Sequence, residues 1–339
     1  MLHIALLVTP NAIASDVMSV IDFFDMANSY WRFQHPEQPE PFSTAVYSAS
    51  GAPVRCSNGI SFSTLPLTAL DRPSALVVVP AYADTPVRLD DYLREGQALL
   101  PVLRECAKGS TLLVSHCVGS FILAEAGLLD GFRATTTWWL KQVFSDRYPK
   151  VELTMESLVL NSNNRITGGA TTASINVCMV ILETLMGHGF AASLSKLLLL
   201  DRQRLSQQTF IDPRLVVSHK DSLVRKVQDW MQNHYAEEVS LKRLSEEFAV
   251  TSRTLIRRFK AATGETPMAY LQQLRIEHAK ELLAATDMPV DWVVERVGYK
   301  DAASFRRLFQ NQTQLSPSRY RQRFDQRGNG TVVHEQSIT

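Results

Sequence analysis

Two stretches of this sequence hold residue types at spacings that can do chemistry. In Thr111-Leu112-Leu113-Val114-Ser115-His116-Cys117-Val118-Gly119, a β-branched and apolar run ends in a small-x-Cys-x-Gly turn, and helix-forming residues follow at once. A turn of this kind is strained and needs small residues two before and two after its centre, here Ser115 and Gly119. It would project the Cys117 side chain over a sheet edge near a helix N-terminus, which lowers a thiol pKa and makes a nucleophile of it. A buried structural cysteine is the commoner fate of this residue type; the strand, turn and helix around Cys117 favour the elbow. A redox role is the other option, with Cys178 or Cys106 approaching in space.

The second stretch is basic. Residues 249–263 contain four basic residues and no acidic one, and residues 302–323 contain five and none. Apolar residues recur with a period of 50: Leu244 matches Val294, Leu255 matches Phe305, and Phe259 matches Phe309. In each copy a short helix (residues 241–248; 290–297) is followed by a tight turn and a polar N-cap, Thr251 or Asp301, that opens a second helix. Each copy therefore reads as helix-turn-helix, whose second helix enters the major groove of double-stranded DNA with its polar face outward. The residues available for contact are Thr251, Ser252, Arg253, Arg257 and Lys260 in the first copy, and Ser304, Arg306, Arg307 and Arg319 in the second. Arg253 and Arg307, near the outward centre of each helix, are the expected base readers, and Lys260 and Arg319 the expected phosphate contacts. An ordinary solvated face would explain one such helix; two copies with the same apolar spacing and matching caps argue against it. Between them, Thr266-Pro267 places a cap and an N1 proline before a long helix with an Ala269, Ile276, Ala279, Leu283 stripe.

These stretches need two different scaffolds. Before residue 190, continuous apolar runs at 2–8, 44–48, 75–79 and 111–115 read as strands buried on both faces, separated by helical stretches at 16–31, 89–107, 119–126 and 172–186. That alternation predicts a doubly wound α/β domain, and the helical spacing after residue 200 predicts an all-α domain with two helix-turn-helix motifs. The expected division is a sensing and dimerisation domain over 1–195, a linker over 196–219, a DNA-binding domain over 220–325 and a disordered tail over 326–339. A length of 339 residues suits two domains. The net charge of +1 splits into +5 over residues 219–327 and −4 elsewhere, so one end of the chain suits a polyanion. The start lacks Lys or Arg before Arg32 and reads as a buried strand rather than a secretion signal. No run approaches the ~20 apolar residues of a membrane span. The four cysteines are too scattered for a zinc motif or a disulfide framework, which fits a reducing, cytoplasmic setting. No phosphate loop or metal cluster is visible, so no cofactor is expected; Gly168-Gly169 alone is too weak a signal.

The segments Lys242-Arg243-Leu244, Arg275-Ile276-Glu277-His278-Ala279-Lys280-Glu281-Leu282-Leu283, Val297-Gly298-Tyr299 and Leu315-Ser316-Pro317-Ser318-Arg319-Tyr320-Arg321 resemble the DNA-binding domain of the AraC/XylS family of transcriptional regulators. This resemblance covers about residues 220–325. It implies two recognition helices in successive major grooves of an operator, about one turn or ~34 Å apart. The Cys117 elbow, with Leu123-Ala124-Glu125-Ala126-Gly127-Leu128-Leu129-Asp130-Gly131 and Ala134-Thr135-Thr136-Thr137-Trp138, resembles the PfpI/ThiJ superfamily and implies a class I amidotransferase-like fold. Together the two halves resemble the GlxA-type regulators over nearly the whole chain.

Enzymes of the PfpI/ThiJ superfamily pair the elbow cysteine with an acid from the first helix and a His. Asp16 falls where that acid is expected, and Thr137 stands where the His just before Trp138 would be. A thiol without a base or cation beside it makes a poor nucleophile at neutral pH, and His116 is expected to point away from the sulfur. The reading is therefore a degenerate enzyme whose pocket, formed by Asp16, Cys117, Thr137 and Trp138, senses a small molecule. Trp138 and Trp139 with Asp16 would suit an amino-acid-derived or quaternary-amine effector, unless the tryptophans only pack the core. The expected protein is a homodimeric, ligand-responsive activator that works with RNA polymerase. The alternative is a Cys-dependent hydrolase or hydratase fused to a DNA-binding domain.

Overall fold

The computed structural model describes residues 1–325 except 84, 201–205, 208–209, 216–218 and 220. Much of the expected linker and all of the expected tail lie outside the described residues. The chain divides into two compact units, residues 1–207 and 208–339.

In the first unit the apolar runs become strands β1 (Leu2–Leu7), β2 (Phe42–Ser48), β3 (Leu65–Pro66), β4 (Ala75–Val78) and β5 (Leu112–His116). A hairpin, β6 (Val159–Ser162) and β7 (Arg165–Gly168), completes a seven-stranded sheet in the order β6-β7-β5-β4-β1-β2-β3. Every pairing is parallel except β6 with β7. The helices are α1 (Ala14–Gln34), α2 (Pro86–Gly96), α3 (Leu100–Cys106), α4 (Gly119–Glu125), α5 (Lys141–Arg147), α6 (Ser174–Met186) and α7 (His188–Leu197). One apolar layer joins Phe23 and Phe24 of α1 to Val177, Ile181 and Leu182 of α6. The other joins Leu89 and Leu93 of α2 to Leu103, Phe121 and Phe144. The sheet is therefore covered on both faces, which is why its strands read as unbroken apolar runs. The chain runs outward from β1 through β2 in one direction and from β4 through β5 in the other. This places a switch point between β1 and β4, where open parallel sheets bind ligands beyond their carboxyl ends.

Strand β3 and helices α5 and α7 were not anticipated, and two further features depart from the sequence expectation. The single helix expected over 89–107 is split into α2, a 3-10 turn at Gln97–Leu99 and α3. Gly96 closes α2 where an added Cβ would strike Ile122, and Pro101 sits in the first turn of α3, where its missing N–H costs nothing. The β6–β7 hairpin was not anticipated. Its turn places Asn163 and Asn164 at φ 51° and 62°, the left-handed pair that an Asn-Asn sequence tolerates.

The second unit consists of α8 (Ser222–His234), α9 (Leu241–Glu247), α10 (Ser252–Thr263), α11 (Pro267–Ala285), α12 (Val290–Arg296), α13 (Ala302–Thr313) and α14 (Pro317–Phe324). The period of 50 persists in detail. Thr251 and Asp301 cap α10 and α13 by accepting backbone N–H bonds, and Gly264 and Gln314 close them in left-handed conformations. Thr266-Pro267 and Ser316-Pro317 then open the helices that follow. The two copies have separate cores. Leu244, Leu255 and Phe259 pack with Tyr270, Leu271 and Leu274 of α11, whereas Val293, Phe305 and Phe309 pack with Ile276, Ala279 and Leu283. The stripe expected on α11 is thus only half of its buried surface, and Ala269 is half-exposed. A helix shared by two cores is buried on different faces along its length, so one stripe cannot describe it.

Asp221 caps α8 through the amides of Leu223 and Val224, and its carboxylate also accepts from Arg258 Nε and Nη2 at 2.8 and 2.5 Å. The guanidinium, with the amides, holds this carboxyl down to about 2. A depressed carboxyl contributes stability that is fully present above its unfolded value near 4 and is lost as pH falls towards 2. Asp221→Asn is therefore expected to destabilise the second unit at neutral pH, with the difference from wild type closing between about pH 4 and 2. Urea unfolding followed by circular dichroism at stepped pH checks this; a difference independent of pH would refute the ion pair.

Candidate sensor pocket and nucleic-acid interface

Cys117 occupies a left-handed conformation at φ 52°, between the last residue of β5 and the first turn of α4. Its N–H donates to Gly169 O at 2.6 Å, and its carbonyl accepts from Thr136 Oγ1 at 2.8 Å. Gly119 is required by close approach, since a Cβ there would lie 2.8 Å from Val78 O of β4. Ser115 is small because its hydroxyl meets Ser120 Oγ at 3.2 Å, inside a chain that continues to Thr135 O. Strain at a non-glycine residue of this kind persists only where the surroundings hold it, and here bonds on both sides of Cys117 do so.

The chemistry differs from the expectation that a helix N-terminus would lower the thiol pKa. Burial instead pushes the Cys117 thiol up to about 11, outweighing Thr171, the Val118 amide and Thr137, which favour the thiolate, while the Asp16 charge opposes it. Thr171 Oγ1 lies 3.6 Å from Sγ. The sulfur is 3% exposed with its residue, so the thiol is neutral at physiological pH. The four cysteines are free thiols, and burial also raises Cys106 and Cys178.

Asp16 lies in the first turn of α1, 2% exposed, and its Oδ2 is 3.2 Å from His116 Nε2. The contact is not aligned as a hydrogen bond: Asp16 Oδ2 and both ring nitrogens of His116 have no hydrogen-bond partner among the described residues. Thr9 Oγ1, two residues beyond β1, and Thr137 Oγ1 are likewise buried and unpartnered. Each such group left dry costs about 1–3 kcal/mol. Trp138 and Trp139 meet edge to face at 5.6 Å; Trp139 packs against the core while Trp138 is half-buried outside it. The sequence reading named Asp16, Cys117, Thr137 and Trp138 but missed Thr9, Thr171 and the approach of His116 to Asp16. Strand-end position was the only signal for Thr9, and none existed for the others.

In the second unit Arg253, Arg257 and Lys260 are exposed on α10, opposite buried Leu255 and Phe259. Arg307 is exposed on α13 and Arg319 on α14, while Ser304 is half-buried near the α13 N-terminus. Arg306 is exposed and pairs with Asp291 at 2.6 Å. Thr251 accepts from the Thr254 amide, and the Ser252 hydroxyl bonds Ser245, so part of the polar N-terminus of α10 is committed to structure.

The family model for a helix-turn-helix domain matches residues 244–323. The chain is similar to the HTH-type transcriptional regulator CdhR of Pseudomonas aeruginosa, 32% identical over 284 residues, covering 81% of this chain and 80% of that protein. It is also similar to the HTH-type transcriptional activator RhaS of an Enterobacter species, 36% identical over 106 residues, covering 31% of this chain and 38% of RhaS. The crystal structure of a candidate transcriptional regulator from Vibrio parahaemolyticus shares its fold with 58% of this chain and 98% of its own, with a TM-score of 0.50 and 22% identity.

Proposed function

The chain belongs to the AraC/XylS family of DNA-binding transcriptional regulators, and from that premise we propose that it is a ligand-responsive activator whose first unit senses a small polar effector around Cys117. The observation that carries this reading is the set of buried polar atoms on Thr9, Asp16, His116 and Thr137 that have no hydrogen-bond partner among the described residues, His116 being the last residue of β5 and Thr9 lying two residues beyond β1. A buried carboxylate is costly unless it meets a positive partner; beside His116 Nε2 at 3.2 Å, the remaining accepting capacity of Asp16 suits a cationic effector, amino-acid-derived or a quaternary amine, with Trp138 as one wall. Activation is the role we infer from the similarity to RhaS, a transcriptional activator. In this reading the protein is a cytoplasmic homodimer that acts with RNA polymerase. Four free thiols suit a reducing compartment, and among the described residues no helix is long and apolar enough to cross a membrane.

A neutral thiol with neither a base nor a cation among the groups acting on it supports a pocket descended from an enzyme but no longer catalytic. Thermal unfolding of the full chain against a panel of cationic metabolites tests sensing, since a ligand of the folded state stabilises in proportion to ln(1 + [L]/Kd). Cys117→Ser is expected to keep DNA binding and ligand-dependent activation. A hydrolase or hydratase turnover present in the wild type and lost in this variant would establish the enzymatic alternative.

A further inference from the structure

Gln207 closes the first unit at the end of the connecting segment, yet its side chain is 3% exposed. Its Nε2 donates to Thr135 Oγ1 at 2.8 Å and to Thr136 O at 3.3 Å, and it lies 3.6 Å from Met155 Sδ. On the other side Gly169 leaves room for it: a Cβ on Gly169 would lie 2.7 Å from Gln207 Oε1. The backbone of Gly169 is not left-handed, so a side chain there would be resisted only by the movable amide end of Gln207. The two segments that grip the amide are the ones that hold the elbow, because Thr136 Oγ1 bonds the Cys117 carbonyl and Gly169 O accepts the Cys117 N–H. Gln207 Oε1 itself is buried and has no hydrogen-bond partner among the described residues. A side chain from a polar connector is thus seated beside the nucleophile turn with one acceptor unsatisfied, which is unfavourable unless a donor arrives.

We propose that Gln207 is an effector-binding residue: its Oε1 accepts an N–H or O–H of the cation held at Asp16, so that effector occupancy anchors the connector. This rests on the pocket reading above and adds to it the chemistry of the effector, a small cation that carries at least one hydrogen-bond donor. It also assigns the route of regulation. Within the second unit the segment just after residue 209 is fastened in its turn, by Phe210 against Phe324 at 6.1 Å and by Arg214 to Glu281 at 2.6 Å. Fixing or freeing residue 207 therefore changes the restraint on a chain that enters the DNA-binding unit directly.

The test uses the full chain. Hydrogen exchange of the peptide holding Ser206 and Gln207 is measured in wild type, Gln207→Ala and Gly169→Ala, without ligand and with ethanolamine, L-arginine or tetramethylammonium. Thermal unfolding of the same samples reports binding. Without ligand, both variants are expected to exchange about tenfold faster than wild type, Gly169→Ala because its methyl group evicts the amide. In wild type, ethanolamine or L-arginine slows exchange severalfold and tetramethylammonium, which has no donor, does not; both variants lose that response while still being stabilised. If a donor-bearing cation raises the unfolding temperature but leaves wild-type exchange unchanged, or if both variants exchange like wild type, Gln207 has no such role and the pocket reading stands. If none of the three cations raises the unfolding temperature, the cation pocket fails and the role of Gln207 falls with it.

Discussion

Phe305→Ala is expected to cost about 3–5 kcal/mol and to remove the second helix-turn-helix as a folded element. Phe305 is fully buried and meets Tyr299 edge to face at 5.4 Å and Phe309 at 5.5 Å. Its core is small, joining Ile276, Ala279, Leu283 and the partly buried Leu282 of α11 to α12, α13 and α14, so few neighbours can move in to fill the cavity. A loss this large is comparable with the whole stability of a small domain, and operator binding should fall to the non-specific level. Urea unfolding of the full chain, read by circular dichroism and by operator binding, measures both. The first unit has its own cores, so its transition should stay where it is in the wild type. A cost below about 1 kcal/mol would mean that α13 does not depend on this core.

Single substitutions of Arg253 and Arg307 to alanine are expected to cost about 1–3 kcal/mol on the cognate operator and to relax preference at one base position each. Both guanidiniums are exposed on the faces opposite Leu255 and Phe305, where they can reach guanine O6 and N7. Lys260→Ala and Arg319→Ala should instead weaken all sequences alike and lower the salt slope by about 0.9. Arg306 must first leave Asp291, so its substitution should cost less than that of Arg307. Salt-dependent titrations of the five variants on cognate and scrambled DNA separate these roles, and unchanged affinity in all of them would take both helices out of the groove.

The local patterns were enough to specify most of the elements. The strands at 2–8, 44–48, 75–79 and 111–115 appear within three residues, because burial on both faces leaves an apolar run that needs no knowledge of neighbours. The helix-turn-helix pair was equally legible, since caps, turn residues and the Leu255/Phe259 and Phe305/Phe309 spacing are all set within about one helical turn. The hairpin at Asn163 and Asn164 was readable in principle from its Asn-Asn turn.

The candidate site was legible only in part. Cys117 could be named because a strained elbow leaves local marks, and Asp16 and Thr137 only because the resemblance to the PfpI/ThiJ superfamily expects an acid and a His at those places; the chemistry of all three could not be read. Whether the thiol ionises depends on how much low-dielectric protein surrounds it, and tertiary burial raised a pKa that the turn alone would have lowered. Gln207 is the clearest case. It lies 72 residues from Thr135 in the chain, and nothing in its polar neighbourhood of sequence distinguishes it from a solvated side chain. Sequence determined which backbone segments form and which faces they bury, because those follow from short-range periodicity and capping; only the folded chain decided which polar atoms are left buried without a partner, because that depends on every segment that closes over them.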